Sequence, residues 1–150
     1  MLDNLNKYQI ILASNSPRRK ELMSGLGVDY VVRTLPDVDE SYPDTLVGAE
    51  IPEYIAREKA DAYRTMMKPG VCLTTTEWQK SFTASSEVLF DVLSEDEILY
   101  YVDRYQPMDK AGAYGVQEWI GYIGVKSISG SFYNIMGLPI QKLYGELKKL

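Results

Sequence analysis

The sequence predicts an α/β fold, and three observations carry that reading. Short runs rich in β-branched and aromatic residues, such as Tyr8-Gln9-Ile10-Ile11-Leu12 and Tyr30-Val31-Val32-Arg33-Thr34, alternate with longer stretches whose apolar residues recur at helical spacing. Helix-start signals stand where those longer stretches begin: Ser16-Pro17, Pro52, Ser94 followed by Glu97, and Pro139. Hydrophobic residues make up 45% of the 150 and charged ones 25%, an ordinary balance for a single packed domain spanning 1–150.

Taken in order, residues 8–12 read as a short buried strand, and Ser16 with Pro17 opens a helix. Leu22 and Leu26 share one face of that helix, and Gly25 and Gly27 stop it. Residues 30–34 form a second strand, and residues 35–48 a loop broken by Pro36 and Pro43. A long helix is expected over 51–67, with Ile51, Tyr54, Ile55, Ala62 and Met66 on its apolar stripe. Residues 71–76 read as a strand, 77–80 as a hairpin turn and 81–90 as the return strand. Ser94 and Glu97 form a capping box for a helix carrying Ile98, Tyr101, Val102 and Tyr105 inward. Residues 120–128 read as a strand interrupted by Gly121 and Gly124, and residues 129–131 as a turn. A final helix after Pro139 turns Ile140, Leu143, Tyr144 and Leu147 inward, with Lys148 and Lys149 at the end that favours cations. No repeat, low-complexity tract or linker interrupts the chain.

Composition narrows the chemistry. The chain contains no histidine, which rules out a Ser-His-Asp or Cys-His mechanism and histidine-ligated zinc. Acid–base work then falls to carboxylates, lysines or tyrosines, and a metal would be a hard ion held by oxygen: Mg²⁺ or Mn²⁺ with a phosphate ester. Cys72 is the single cysteine, so no internal disulfide forms, in keeping with a reducing, cytoplasmic setting. A net charge of −5 speaks against broad nucleic-acid binding, while local cations still suit a small anion. No apolar run is long enough to span a membrane, and no charged-then-apolar leader is expected.

Two stretches are dense in chemistry. Leu12-Ala13-Ser14-Asn15-Ser16-Pro17-Arg18-Arg19-Lys20 joins a strand to a helix N-terminus crowded with cations. It reads either as a solvated basic first turn or as an anion site built from free N–H groups, the helix dipole and side-chain charge, with phosphate as its ligand. The second is Asp109-Lys110-Ala111-Gly112-Ala113-Tyr114-Gly115-Val116-Gln117, where small residues permit close backbone approach between polar groups. Spacing alone favours a glycine-rich turn with a surface ion pair there. The acids Asp37, Asp39, Glu40 and Asp44 are either a solvated loop or one facing a metal and offsetting the basic turn.

These stretches resemble the Maf family of nucleotide pyrophosphatases, also called septum-formation inhibitors. The resemblance runs through Ala13-Ser14-Asn15-Ser16-Pro17-Arg18-Arg19, Ala56-Arg57-Glu58-Lys59-Ala60, Leu93-Ser94-Glu95-Asp96-Glu97-Ile98, the stretch from Pro107 to Gln117, and Ile128-Ser129-Gly130-Ser131-Phe132-Tyr133-Asn134 into Met136-Gly137-Leu138-Pro139. It implies an elongated, mixed, twisted sheet flanked by helices, with two lobes around a cleft. It also implies metal-dependent hydrolysis of a nucleoside triphosphate to monophosphate and pyrophosphate. By the same resemblance, Ser14, Arg18 and Arg19 grip phosphate oxygens, Lys59 approaches from its helix, and Glu40 helps hold Mg²⁺ or Mn²⁺. Lys110 and Gln117 line the substrate pocket, and Arg19 with Gln117 resembles the branch acting on dTTP and UTP. Nucleic acid and membrane are not expected partners; a homodimer is compatible with the resemblance.

The chain departs from the family's pattern at one place. After the Lys59 helix the family carries a strand ending in Ala-Asp-Thr, whose Asp is the proposed base, then a Gly-Lys-Pro element and a further helix. Here Met67-Lys68-Pro69 runs almost directly into Gly70-Val71-Cys72-Leu73, so the pattern is interrupted near Pro69-Gly70. Two function classes follow: a pyrophosphatase, or a nucleotide-binding or division-regulating protein that keeps the cationic cradle without the base. A folded remnant with neither activity is the third reading, separated from both by its indifference to nucleotide in thermal melts.

Overall fold

The computed structural model describes residues 2–36, 38–48, 50–63 and 82–150. Asp37, Met66, Cys72, the strand and hairpin expected over 71–80, and the helix beyond Tyr63 lie outside them. In chain order the regular elements are a 3-10 helix Asp3–Lys7, β1 Ile10–Leu12, α1 Pro17–Gly25, β2 Tyr30–Val32, α2 Glu50–Tyr63, β3 Glu87–Phe90, α3 Glu95–Tyr105, 3-10 turns Pro107–Asp109 and Ala111–Ala113, α4 Trp119–Gly124, β4 Val125–Ser129, α5 Phe132–Met136 and α6 Ile140–Leu147. The chain divides into two compact units, Met1–Ala84 with Pro139–Leu150, and Ser85–Leu138.

In the first unit β1 and β2 pair in parallel, Ile10 opposite Tyr30 and Leu12 opposite Val32. Helix α1 connects them, as a parallel pair requires. Pro17 occupies its first position, where a missing N–H does no harm, and Ser16 is the N-cap residue although its side chain makes no cap bond. Leu22 and Met23 turn into the core, and Gly27 leaves the helix end at φ 67. The core also takes Leu5, Ile10, Tyr63, Ile140, Leu143 and Leu147. Leu147 is 1% exposed, and burial of such a side chain contributes about 1.5–3 kcal/mol. Asn4 fastens the 3-10 helix to α6 by donating to the Leu147 carbonyl at 2.8 Å.

In the second unit β3 and β4 run antiparallel, Glu87 opposite Ser129 and Phe90 opposite Val125. Tyr101, Pro107, Val116, Ile120 and Met136 are buried. The capping box of α3 is present: Ser94 Oγ accepts from the Glu97 amide, and the Ser94 amide donates to the Glu97 carboxylate at 2.7 Å. Ser86, just before β3, ties to the chain just after β4, its hydroxyl donating to the Ser131 carbonyl and accepting from the Ser131 amide.

The α/β class stands, with one parallel and one antiparallel pair among the described residues. Three expectations change. The strand expected over 81–90 is confined, among described residues, to β3. The run expected as one interrupted strand over 120–128 is a helix, α4, followed by β4, because a short apolar run does not declare its period. Gly121 makes that helix fit: a Cβ there would lie 1.9 Å from the Val116 carbonyl oxygen. Ile98, expected inward on α3, is 47% exposed, while Tyr101 takes the buried position.

Candidate nucleotide site

The basic turn lies at the carboxyl end of β1, where ligands of open α/β sheets are usually found. The first backbone bond of α1 runs from the Lys20 amide to the Ser16 carbonyl (3.1 Å), so the Arg18 and Arg19 amides precede it at the positive end of the helix. Ser14 Oγ accepts from the Ser16 amide at 3.3 Å and keeps its own O–H to donate. Asn15 ties the turn to the chain leaving β2 by donating to Thr34 Oγ1 at 3.1 Å. Arg18 and Arg19 are both half-buried, and Arg18 has no ion pair among the described residues.

The same segment beyond β2 holds α2. The Leu35 amide donates to the Tyr63 hydroxyl at 2.8 Å. Lys59 stands four residues before Tyr63, on the same helix face, and its ammonium meets the Glu40 carboxylate at 2.5 Å. The structure thus brings together Lys59 and Glu40, two residues distant in sequence, with Lys59 32% and Glu40 61% exposed at the side chain. Next to Glu40, Asp39 accepts from the Ser41 amide at 2.8 Å, and this bond, with the Ser41 hydroxyl, lowers the carboxyl's pKa. Among the described residues no three Cys, Asp or Glu side chains gather into a metal cage. Glu40, more than half exposed, offers carboxylate oxygen, the donor type that a hard ion such as Mg²⁺ or Mn²⁺ would take.

Lys110 and Gln117 lie in the second unit, on the loop between α3 and α4. The Lys110 side chain is only 12% exposed and faces two carboxylates, Asp109 at 3.2 Å and Glu118 at 3.4 Å. Tyr101 from α3 reaches this loop. Its hydroxyl accepts from the Gly115 amide at 2.9 Å and donates to the Glu118 carboxylate. Burial first, then the bond to Glu118, pushes the Tyr101 phenol up to about 12. Gly115 allows the approach, because a Cβ there would come within 2.5 Å of the Glu118 carboxyl carbon. Gln117 Oε1 is buried without a hydrogen-bond partner among the described residues.

Tyr101 and Glu118 escape a reading of the sequence for chemistry. Tyr101 falls on the apolar stripe of α3 and Glu118 lies one residue beyond the motif. A carboxylate directly following Gln117 and able to reach Lys110 was the available signal.

Comparison with known proteins gives a consistent result. The family model described as Maf-like protein matches residues 9–71 and 66–150. A dTTP/UTP pyrophosphatase of Bacteroides thetaiotaomicron is 70% identical over 193 aligned residues, covering all of both chains. Bacteroides fragilis and Phocaeicola vulgatus have proteins of the same description at 58% and 52% identity, each covered in full. The first alignment runs over 193 positions against 150 residues here, so the relative carries residues without a counterpart in this chain. The two matched stretches meet at 66–71, where the sequence reading sets its interruption.

Proposed function

The chain belongs to the Maf family, and on that premise we propose that it is a nucleoside triphosphate pyrophosphatase acting on dTTP and UTP, as the names of its relatives suggest. The observation that carries the proposal is the Lys59–Glu40 pair, which joins the residues that the family resemblance assigns to phosphate and metal. In this reading the Ser14 hydroxyl, the amides at the start of α1, Arg18, Arg19 and Lys59 bind the phosphate oxygens. Guanidinium forks suit that geometry, and fixed cations stabilise charge developing on phosphoryl oxygen. Glu40 would hold Mg²⁺ or Mn²⁺, which when bound neutralises charge on the triphosphate. A phosphate oxygen competes with Glu40 for Lys59, so substrate arrival would free that carboxylate. Lys110 and Gln117 would contact the substrate, as the family resemblance implies. Water attacks the α-phosphorus, pyrophosphate leaves, and a carboxylate accepts the water's proton. A cytoplasmic location and a homodimer belong to the same proposal. The single cysteine suits the first, and the exposed Tyr122 and Ile123 side chains on α4 suit the second.

A second reading, nucleotide binding without hydrolysis, is favoured by one specific observation. The family's base Asp has no match in the sequence, and among the described residues the carboxylate beside Glu40, Asp39, is committed to Ser41 in a way that weakens it as a base. The deciding experiment measures pyrophosphate release from dTTP and UTP with and without Mg²⁺ or Mn²⁺, alongside nucleotide-dependent melting. Metal-dependent release that disappears in Arg18→Ala supports the enzyme. Stabilisation by nucleotide without release selects the binder, and neither response overturns both.

A further inference from the structure

A cavity of about 250 Å³ lies at the amino end of the parallel pair, away from the carboxyl end that carries the basic turn. Residues entering β1, residues entering β2 and the 3-10 helix Asp3–Lys7 line it. Its inner part is apolar: Leu5 and Ile10 are buried and Val28 is half-buried. Polar groups from three places in the chain complete the lining. Asp3 and Asn6 come from the 3-10 helix, Tyr8 from the residue that ends it, and Asp29 from the residue before β2. The Asn6 side-chain amide, the Tyr8 hydroxyl and the Asp29 carboxylate make no hydrogen bond or ion pair among the described residues. Lys7, next to Tyr8 in sequence, turns its ammonium to the Leu150 carbonyl at 3.3 Å and over the Tyr8 ring.

We propose that this cavity is a second ligand site, independent of the nucleotide reading, and that it takes a small aliphatic amine in its ammonium form. Two carboxylates, with no lysine or arginine in the lining, repel phosphate and attract a cation. The lining suits a bare metal ion poorly. Among the described residues no three Cys, Asp or Glu side chains gather, and Leu5, Ile10 and Val28 offer an ion no side-chain oxygen. An alkylammonium uses both halves of the cavity. Its N–H groups donate to the Asp29 carboxylate, the Asn6 side-chain oxygen and the Tyr8 hydroxyl, while its methylenes leave water against the apolar side chains.

The test is an amide NMR titration of the full chain with putrescine at about 0.15 M salt, where diffuse surface attraction is screened. Butanol and Mg²⁺ serve as separate probes. Putrescine should give saturable shifts at residues 2–10 and 27–29, and neither other probe should. Asp29→Asn should weaken putrescine binding about tenfold or more, because a charge-assisted contact is lost. Asp103→Asn, an equal loss of charge at an exposed position on α3, should leave the affinity unchanged. If Asp29→Asn fails to fold, Asp3→Asn takes its place with the same expectation. Shifts scattered over the acidic surface, or an equal loss in both variants, reduce the effect to net charge and overturn the site. Saturable butanol binding overturns the role of the carboxylates, and saturable Mg²⁺ binding overturns the choice of an amine. No shift at these residues overturns the proposal outright. Tripolyphosphate binding reads the basic turn separately, so each of these failures is distinguishable from failure of the nucleotide reading.

Discussion

One lysine–glutamate pair from each unit, Lys59–Glu40 and Lys110–Glu118, makes an instructive comparison, and the shorter of the two is the weaker. Lys59 and Glu40 approach to 2.5 Å, yet Glu40 is 61% exposed and water competes for both charges. Lys110 and Glu118 stand 3.4 Å apart, but only 12% and 21% of their side chains reach solvent, and Glu118 is also bonded to a buried tyrosine. Exposed pairs contribute roughly 0–1 kcal/mol, whereas breaking a buried, hydrogen-bonded one leaves an uncompensated group. Surroundings, more than separation, set what each pair does. The first stands open to solvent; the second holds a loop.

The strongest way to break this contrast is Tyr101→Phe. Removing the hydroxyl leaves the Gly115 amide and one Glu118 oxygen unmet, at about 1–3 kcal/mol, which denaturant unfolding should register. An unchanged midpoint would mean that the buried network carries no stability. Alkaline titration sharpens the same point. The Tyr101 pKa is raised in the folded protein, so its contribution is present below the ordinary value of 10.0 and lost as the pH rises through about 12. The melting temperature should fall over that window, and the fall should be shallower in Tyr101→Phe.

On the other side of the comparison, Lys59→Ala should cost no more than about 1 kcal/mol of stability. Its effect belongs in ligand binding, where tripolyphosphate affinity should drop; large destabilisation with intact affinity would reverse the roles of the two pairs. The smallest effect is expected at Glu97 in the capping box. Its pKa is lowered by the Ser94 amide and then by the Ser94 hydroxyl, so its support for α3 is present above the ordinary 4.5 and lost as the pH falls through the lowered value. Ser94→Ala should flatten that acid limb of the melting curve.

The sequence made the scaffold of the first unit readable because its signals are local. Ser16-Pro17 and Gly25 to Gly27 bracket α1, and β-branched residues mark β2. The capping box of α3 was equally plain, since both partners lie within one turn. Contacts between distant residues were not legible from spacing. The family resemblance named Lys59 and Glu40 separately, but only the fold joins α2 to the loop after β2. Tyr101 looked like one more apolar-stripe residue because periodicity reports burial and says nothing about where a hydroxyl points. The run 119–124 hid its helix because glycines weaken both alternatives, and the contact that decides it, Gly121 on Val116, lies outside any local window.

That last contact limits how this protein can vary. With a Cβ at 121 placed 1.9 Å from a backbone oxygen, no side chain can yield to relieve the overlap. The turn bearing Gln117 and the helix behind it are therefore joined through a position closed to nineteen of the twenty amino acids. In a saturation library over 109–124, selected for folded protein, we expect position 121 to return glycine alone. Its solvent-facing neighbour Tyr122, 79% exposed, should accept nearly any residue.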